Sequence, residues 1–361
     1  MSCQEFSLIR HIMAEHAGAR RADVDVGIGD DAAVLHCPDP GQDLISSVDT
    51  LVAGRHFFAD ADPAGLGHKA LAVNLSDLAA MGARPAWALL SLSLPDKAPE
   101  GLNDCWPGCW LQAFMTGMDA LAQRHGVGIV GGDTVACDTL QISITALGWA
   151  ARGRAIRRSG AQPGDRIWVS GSLGGAAAAL RTIYAERVQT EFLPIQWRAA
   201  EWHYLCQRLE RPEPRLALGQ ALLEEGLAHA MLDISDGLLA DLGHLLAASD
   251  AHARLELGDL PLAEPLRRLR PSAPDLVREL ALAGGDDYEL CFTAPASADA
   301  ELAALAARLD LPLSCVGRIT NIGGAPGQNP LADARHRMEL WEGDVRLPMP
   351  ERLGYEHFTA S

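Results

Sequence analysis

The chain has 361 residues, 48% of them hydrophobic, with 47 acidic against 30 basic residues and a formal net charge of -17. That length exceeds one compact α/β unit and predicts two domains, while the apolar content excludes wholesale disorder. The acidic balance excludes the basic footprint of a nucleic-acid binder, and it would repel a small anionic substrate unless metal cations intervene.

The opening MSCQEFSLIRHIMAEH carries charges where a secretory leader needs an apolar run. No stretch approaches the roughly 18 apolar residues of a membrane span, so a cytoplasmic protein is expected. The cysteines form no CxxC pair or zinc spacing, which predicts reduced, mostly buried thiols. Residues 5–16 read as an amphipathic helix, followed by short strands near 24–28, 32–37 and 43–48. Asp62-Pro63 marks a helix start, and that helix runs to about Met81 with Gly82 as its stop. A strand fits 86–94, a helix fits 108–125 ending at Gly126, and strands fit 127–131 and 140–149. The basic, turn-rich segment 151–165 is the expected domain boundary, giving domains 1–150 and 151–361.

Beyond it come strand 166–170, a Gly-rich turn, helices 175–185 and 213–225, strand 229–234, helix 237–248 and strand 253–257. Helix 275–283, strand 288–293, helix 297–309 and strand 312–319 complete the series. Helices and strands alternate in both halves, which predicts an α/β or α+β class with two related lobes. Residues 186–212 lack a clean period and read as an insertion, and 321–336 read as a loop.

Asp recurs beside Gly, Ser or Asn near the ends of apolar runs. The places are Gly27-Ile28-Gly29-Asp30-Asp31, Ser47-Val48-Asp49-Thr50, Asn74-Leu75-Ser76-Asp77, Gly131-Gly132-Asp133-Thr134, Asp233-Ile234-Ser235-Asp236-Gly237 and Gly284-Gly285-Asp286-Asp287. Strand ends are where α/β proteins gather their sites. Crowded carboxylates there call for a cation, and Mg²⁺ takes oxygen ligands together with nucleotide phosphates. Each motif alone also reads as an Asp-Gly turn, and Asp236 equally as a helix N-cap. Their number favours the joint reading.

A Walker loop is excluded, because the only lysines, Lys69 and Lys97, follow His68 and Asp96. The dinucleotide reading of 27–32 puts two carboxylates against a pyrophosphate and strand-like residues where a helix is needed. The HRD and DFG elements of protein kinases are absent. Arg157-Arg158 is a phosphate candidate or a solvated pair. Gly171-Ser172-Leu173-Gly174-Gly175 offers amides to an anion or merely tight packing. His56 is a substrate contact or a structural histidine.

In this order the motifs resemble the thiamine-monophosphate kinase family, within the wider aminoimidazole ribonucleotide synthetase superfamily. The resemblance runs from Glu5-Phe6-Ser7-Leu8-Ile9 through 27–32, 49–54, 69–83, 131–134, 158–161, 233–242 and 288–292 to 354–358. It implies a two-lobed fold of mixed sheets flanked by helices, with the N-terminal sheet pairing across a homodimer. It implies ATP and several Mg²⁺ between the lobes, and transfer of the γ-phosphoryl to thiamine monophosphate. By similarity Asp30, Asp31, Ser47, the Val48 carbonyl, Asp49, Asp77, Asp133, Asp233 and Asp236 hold metal. Gly132, Asp133, Arg158 and Ser235 contact ATP, while His56, Asp286 and Tyr355 contact the thiamine compound. The family commonly has Thr at Val48, so only the carbonyl oxygen remains there, and Glu at Asp286, one methylene longer. The segment 186–212 and the Trp-rich stretch 105–110 stand outside the pattern.

Overall fold

A computed structural model describes residues 24–26, 34–35, 40–98, 106–188, 195–322 and 335–355. The expected helix 5–16, Asp30, Asp31 and residues 356–358 lie outside them. The chain divides into two compact units, one of residues 1–78 and 83–154, the other of residues 79–82 and 155–361.

In the first unit β1 (Val24–Val26) pairs antiparallel with β2 (Val34–Leu35). A four-stranded mixed sheet contains β3 (Gln42–Val52), β4 (Arg84–Leu94), β5 (Gly128–Ala136) and β6 (Gln141–Ala151), in the order β3-β6-β4-β5. Only β4 and β5 run parallel. Its described helices are α1 (Pro63–Ala80) and α2 (Gly108–His125). Asp62 Oδ2 accepts the Gly65 N–H at 2.7 Å, so the side chain caps α1 as the sequence predicts. Gly126 closes α2 in the left-handed region at φ 66.

Period-two alternation divides β3 between two faces. Ser47, Asp49 and Leu51 turn inward, and α1 lies on that side, joined to Ser47 and Asp49 by side-chain hydrogen bonds. Leu44 and Val48 point the other way and are 53% and 62% exposed. Trp87 and Trp149 meet edge to face at 5.5 Å, with Leu89 and Leu147 packed against them. The Trp-rich stretch is a staple: Trp106 donates to Pro95 O at 2.9 Å, and Trp110 stacks on Phe114 at 5.1 Å. Cys109 is disulfide-bonded, against the expectation of reduced thiols, whereas Cys137, Cys206, Cys291 and Cys315 are free.

The second unit is built on a seven-stranded sheet. Its strands are β7 (Arg166–Ser170), β8 (Ala230–Ile234), β9 (Ala251–Glu256), β10 (Glu289–Ala294), β11 (Leu313–Ile322), β12 (Met338–Glu342) and β13 (Val345–Leu347). The order is β13-β12-β9-β11-β7-β10-β8, parallel only between β12 and β9. Flanking helices are α3 (Gly175–Val188), α4 (Ala199–Glu210), α5 (Leu216–Glu225), α6 (Leu238–Ala248), α7 (Glu264–Leu269), α8 (Pro274–Ala283) and α9 (Asp299–Leu309). Ile167, Val169, Leu232 and Ile234 of the sheet share one core with Leu239, Leu242 and Leu246 of α6.

The segment read as an insertion contains α4, whose Leu205 and Leu209, one turn apart, enter that core. The rest of α4 is largely polar, so its apolar stripe is too narrow to show as a period. Among the described residues no helix is long and apolar enough to cross a membrane.

Candidate functional site

In the first unit, strand β3 and helix α1 bring Ser47, Asp49, Asn74 and Asp77 together. The Ser47 hydroxyl donates to Asp77 Oδ2. Asn74 Oδ1 accepts the Asp49 N–H at 3.1 Å, and Asn74 Nδ2 donates to Ala70 O at 3.0 Å. Asn74 is thus a buried clamp that fixes where strand and helix meet. Val48 turns its side chain to the opposite face, which leaves its backbone oxygen as its only ligand atom.

Asp133 stands elsewhere. It lies on β5 in register with Ser91 of β4, and Ser91 with Ser143 of β6, which faces Thr50 of β3. Three strand spacings, roughly 14 Å, separate it from β3. The motif expected at a strand end is inside β5, and Asp133 Oδ1 accepts the Thr134 N–H at 2.9 Å. Gly132 is required there, because a Cβ would sit 1.7 Å from Leu90 O. His56 follows β3, and its Nδ1 accepts the Val52 N–H at 3.0 Å, which leaves Nε2 to carry the proton of the neutral ring.

The second unit gathers the other candidates around the loop between β8 and α6. Asp233 is buried at the end of β8, with Ser235 and Asp236 following. The N-cap of α6 is Gly237 rather than Asp236. Asp241, in the first turn of the helix, does the capping. Its Oδ2 accepts the N–H groups of Ser235, Asp236 and Gly237 at 3.1, 3.0 and 3.0 Å. Burial raises the Asp241 carboxyl well above the usual carboxylate range, the charges of Asp233 and Asp236 add to this, and the N–H donors oppose it. The strap carrying Arg158 is tied on both sides: Arg157 O accepts the Met231 N–H at 2.9 Å and Arg158 O the Ser249 hydroxyl at 3.1 Å. Burial lowers the His244 imidazole, and the Arg158 charge lowers it further while Asp236 pulls it up.

Asp286 and Tyr355 join the same loop through their amides. Asp286 N donates to Ser235 O at 2.8 Å and Tyr355 N to Asp236 O at 3.0 Å. Asp286 and Tyr288 both adopt left-handed backbone, φ 67 and 49, and the Tyr288 hydroxyl donates to Asp286 Oδ1 at 3.2 Å. The Gly-rich turn 171–175 has little left for an anion. Its Gly171, Leu173 and Gly174 amides donate to Pro312 O, Pro261 O and the Asp287 carboxylate. Burial pushes the Asp287 carboxyl up to about 7, against the pull of Arg208 and the Gly174 N–H.

Beneath this, Glu289 is fully buried and accepts from Arg208 at 2.9 Å, from Arg215 through two contacts of 2.6 Å, and from the Ser170 hydroxyl at 2.6 Å. Sequence reading gave Asp287 only within the Gly284–Asp287 motif and missed Asp241, Arg208 and Arg215. For Asp241 a signal existed: in LLADLGHLLAA it is the only acidic residue, and apart from His244 the rest are apolar or Gly.

Among the described residues no three Asp, Glu, His or Cys side chains converge on one point. Asp30 and Asp31 lie outside those residues, and Mg²⁺ takes one or two carboxylates alongside waters and substrate phosphates. The donors present, carboxylates with a hydroxyl and a carbonyl, are the hard oxygens this ion prefers.

The family described as AIR synthase related protein, N-terminal domain, matches residues 29–150, and its C-terminal domain counterpart matches 162–325. The chain is 43% identical over 320 residues to the thiamine-monophosphate kinase of Escherichia coli (strain K12), spanning 89% of this chain and 91% of that one. The crystal structure of thiamine-monophosphate kinase from Stenotrophomonas maltophilia K279a is similar at a TM-score of 0.76 and 46% identity, covering 90% of this chain and 96% of that one. The solved structure of AaThiL complexed with AMPPCP and TMP is similar at a TM-score of 0.68 and 27% identity, covering 99% and 97%.

Proposed function

The chain belongs to the thiamine-monophosphate kinase family, and from that membership we infer that it moves the γ-phosphoryl of ATP directly onto the phosphate of thiamine monophosphate, giving thiamine diphosphate and ADP. It is an ATP-dependent phosphotransferase whose acceptor is itself a phosphate. The carrying observation is likeness along nearly the whole chain to such kinases, joined to a site of clamped hard-oxygen donors.

The β–γ bridging P–O bond breaks with its electrons leaving on ADP, as an oxygen of the acceptor phosphate bonds to the γ-phosphorus. That oxygen is already anionic near neutral pH, the second phosphate pKa being about 6. No side chain needs to remove a proton, so we assign no general base. Positioning and charge neutralisation then carry the reaction. Mg²⁺ supplies the neutralisation when bound.

Asp49, Asp77, Ser47 and the Val48 carbonyl are the proposed metal ligands on β3 and α1. Asp133 serves a separate position, Asp233 and Asp236 act at the β8–α6 loop, and Asp30 and Asp31 complete the set. Gly132, Asp133, Arg158 and Ser235 are assigned to ATP. His56, Asp286 and Tyr355 are assigned to thiamine monophosphate, with the Tyr288 hydroxyl orienting Asp286. On this reading 1–150 is the metal-binding and dimerisation domain, and 151–361 supplies further nucleotide and acceptor contacts. A cytoplasmic location is proposed, in keeping with the use of ATP.

The test is to incubate the protein with ATP, Mg²⁺ and thiamine monophosphate while following ADP, phosphate and thiamine diphosphate together. Equal amounts of ADP and thiamine diphosphate are expected. Phosphate released without ATP would point to a phosphatase, and ATP consumed without thiamine diphosphate to a related synthetase. Pairing with a second copy is proposed through the outer face of the four-stranded sheet, where Leu44 and Val48 lie exposed. Leu44→Lys should halve the mass seen by light scattering. A wild-type chain that is already monomeric would remove the pairing.

A further inference from the structure

Three consecutive peptide planes in the β8–α6 loop are held alike. Each plane is rigid and trans, so its N–H and C=O point in opposite directions. The plane joining Ile234 to Ser235 gives its N–H to Asp241 Oδ2 and its C=O to the Tyr288 N–H, at 3.1 and 2.8 Å. The plane joining Ser235 to Asp236 gives its N–H to the same oxygen and its C=O to the Asp286 N–H, at 3.0 and 2.8 Å. The plane joining Asp236 to Gly237 repeats this with the Tyr355 N–H, both contacts being 3.0 Å. One buried carboxylate oxygen therefore lies on one side of the loop. The two segments that carry Asp286 and Tyr355 lie on the other. Contact is tight on that side, since a Cβ on Gly285 would come 2.5 Å from Ser235 O.

We propose that Asp241 is a positioning residue: through the tilt of these three planes it sets Asp236 and Ser235 for the metal–nucleotide end and Asp286 and Tyr355 for the acceptor end. The inference rests on the assigned reaction for the names of the two ends, and on the hydrogen bonds alone for the coupling. Without the carboxylate, one buried and two part-buried N–H groups lose their acceptor and the planes are free to turn. Groups that orient ligands in this indirect way typically change affinity or activity by about 10–100-fold when removed.

The experiment compares Asp241→Asn, which keeps the shape and one acceptor oxygen, with Asp241→Ala and with Leu245→Ala. Leu245 is a buried residue of the same helix that takes no part in the loop's bonds. Steady-state KM for thiamine monophosphate and for ATP is measured at fixed Mg²⁺, alongside Tm. Both KM values should rise together, about 10-fold or more in Asp241→Ala and less in Asp241→Asn, while Leu245→Ala keeps both despite its lower Tm. Unchanged KM values in a folded Asp241→Asn and Asp241→Ala overturn the proposal, as does an equal rise in Leu245→Ala. Should Asp241→Ala not fold, Asp241→Asn decides alone. If the wild-type chain makes no thiamine diphosphate, the assigned reaction fails instead. Calorimetric Kd values for Mg-ATP in the same variants then decide the role of Asp241, with the same rise expected.

Discussion

Asp77→Asn is expected to lower kcat/KM by about 10²–10³-fold with little change in Tm. A metal-held phosphoryl group gains several kcal/mol of transition-state neutralisation, and each 1.36 kcal/mol is tenfold in rate. Removing one ligand charge forfeits a large share of that. The fold keeps what it needs, because the amide oxygen of Asn still accepts the Ser47 hydroxyl and the clamp from Asn74 to the Asp49 amide is untouched. The side chain projects from a helix whose Leu71, Leu75 and Leu78 are fully buried, so α1 stays anchored. Asp49→Asn should behave in the same way, since Asn74 grips the backbone of residue 49 and not its carboxylate. Steady-state kinetics at saturating Mg²⁺, paired with thermal unfolding, checks this. Near-wild-type turnover in both variants would remove the metal assignment on β3 and α1.

What was legible from the sequence is what local chemistry writes down. Pro63 with Asp62, and Gly126 after a helical run, mark ends that the backbone must have. Strand β8 and helix α6 sit within a residue or two of their expected places. What was not legible depends on partners distant in the chain. The amides of Gly171, Leu173 and Gly174 look available for an anion until Pro312, Pro261 and Asp287 arrive to occupy them. Asp236 looks like a cap because Asp commonly is one, but Asp241 reaches back one turn and takes the amides. Segment 131–134 looks like a corner, yet the parallel pairing with β4 carries β5 straight through it. Helix α4 is hidden because its role is ionic as much as apolar: Arg208 pairs with Glu289, and Glu201 with Arg268.

That ionic role gives the largest stability prediction. Glu289→Leu is expected to destabilise the protein by about 3–5 kcal/mol, the cost of breaking a buried pair by removing one partner. Glu289 is the one fully buried anion that Arg208 and Arg215 share, and their side chains are only 13% and 16% exposed. Deleting it leaves two guanidinium groups without their bidentate and single contacts, and it strips the Ser170 hydroxyl of its acceptor. Asp287 would not replace it, because its carboxyl is already engaged by the Gly174 amide. The loss shrinks when the whole group is exchanged. With Arg208→Met and Arg215→Leu added to Glu289→Leu, no charge is left stranded, and most of the loss should return. Urea unfolding followed by tryptophan fluorescence measures both. A Glu289→Leu protein within about 1 kcal/mol of wild type would mean that these guanidinium groups find solvent or another acceptor, and that the cluster does not hold α4 and the start of α5 against β10.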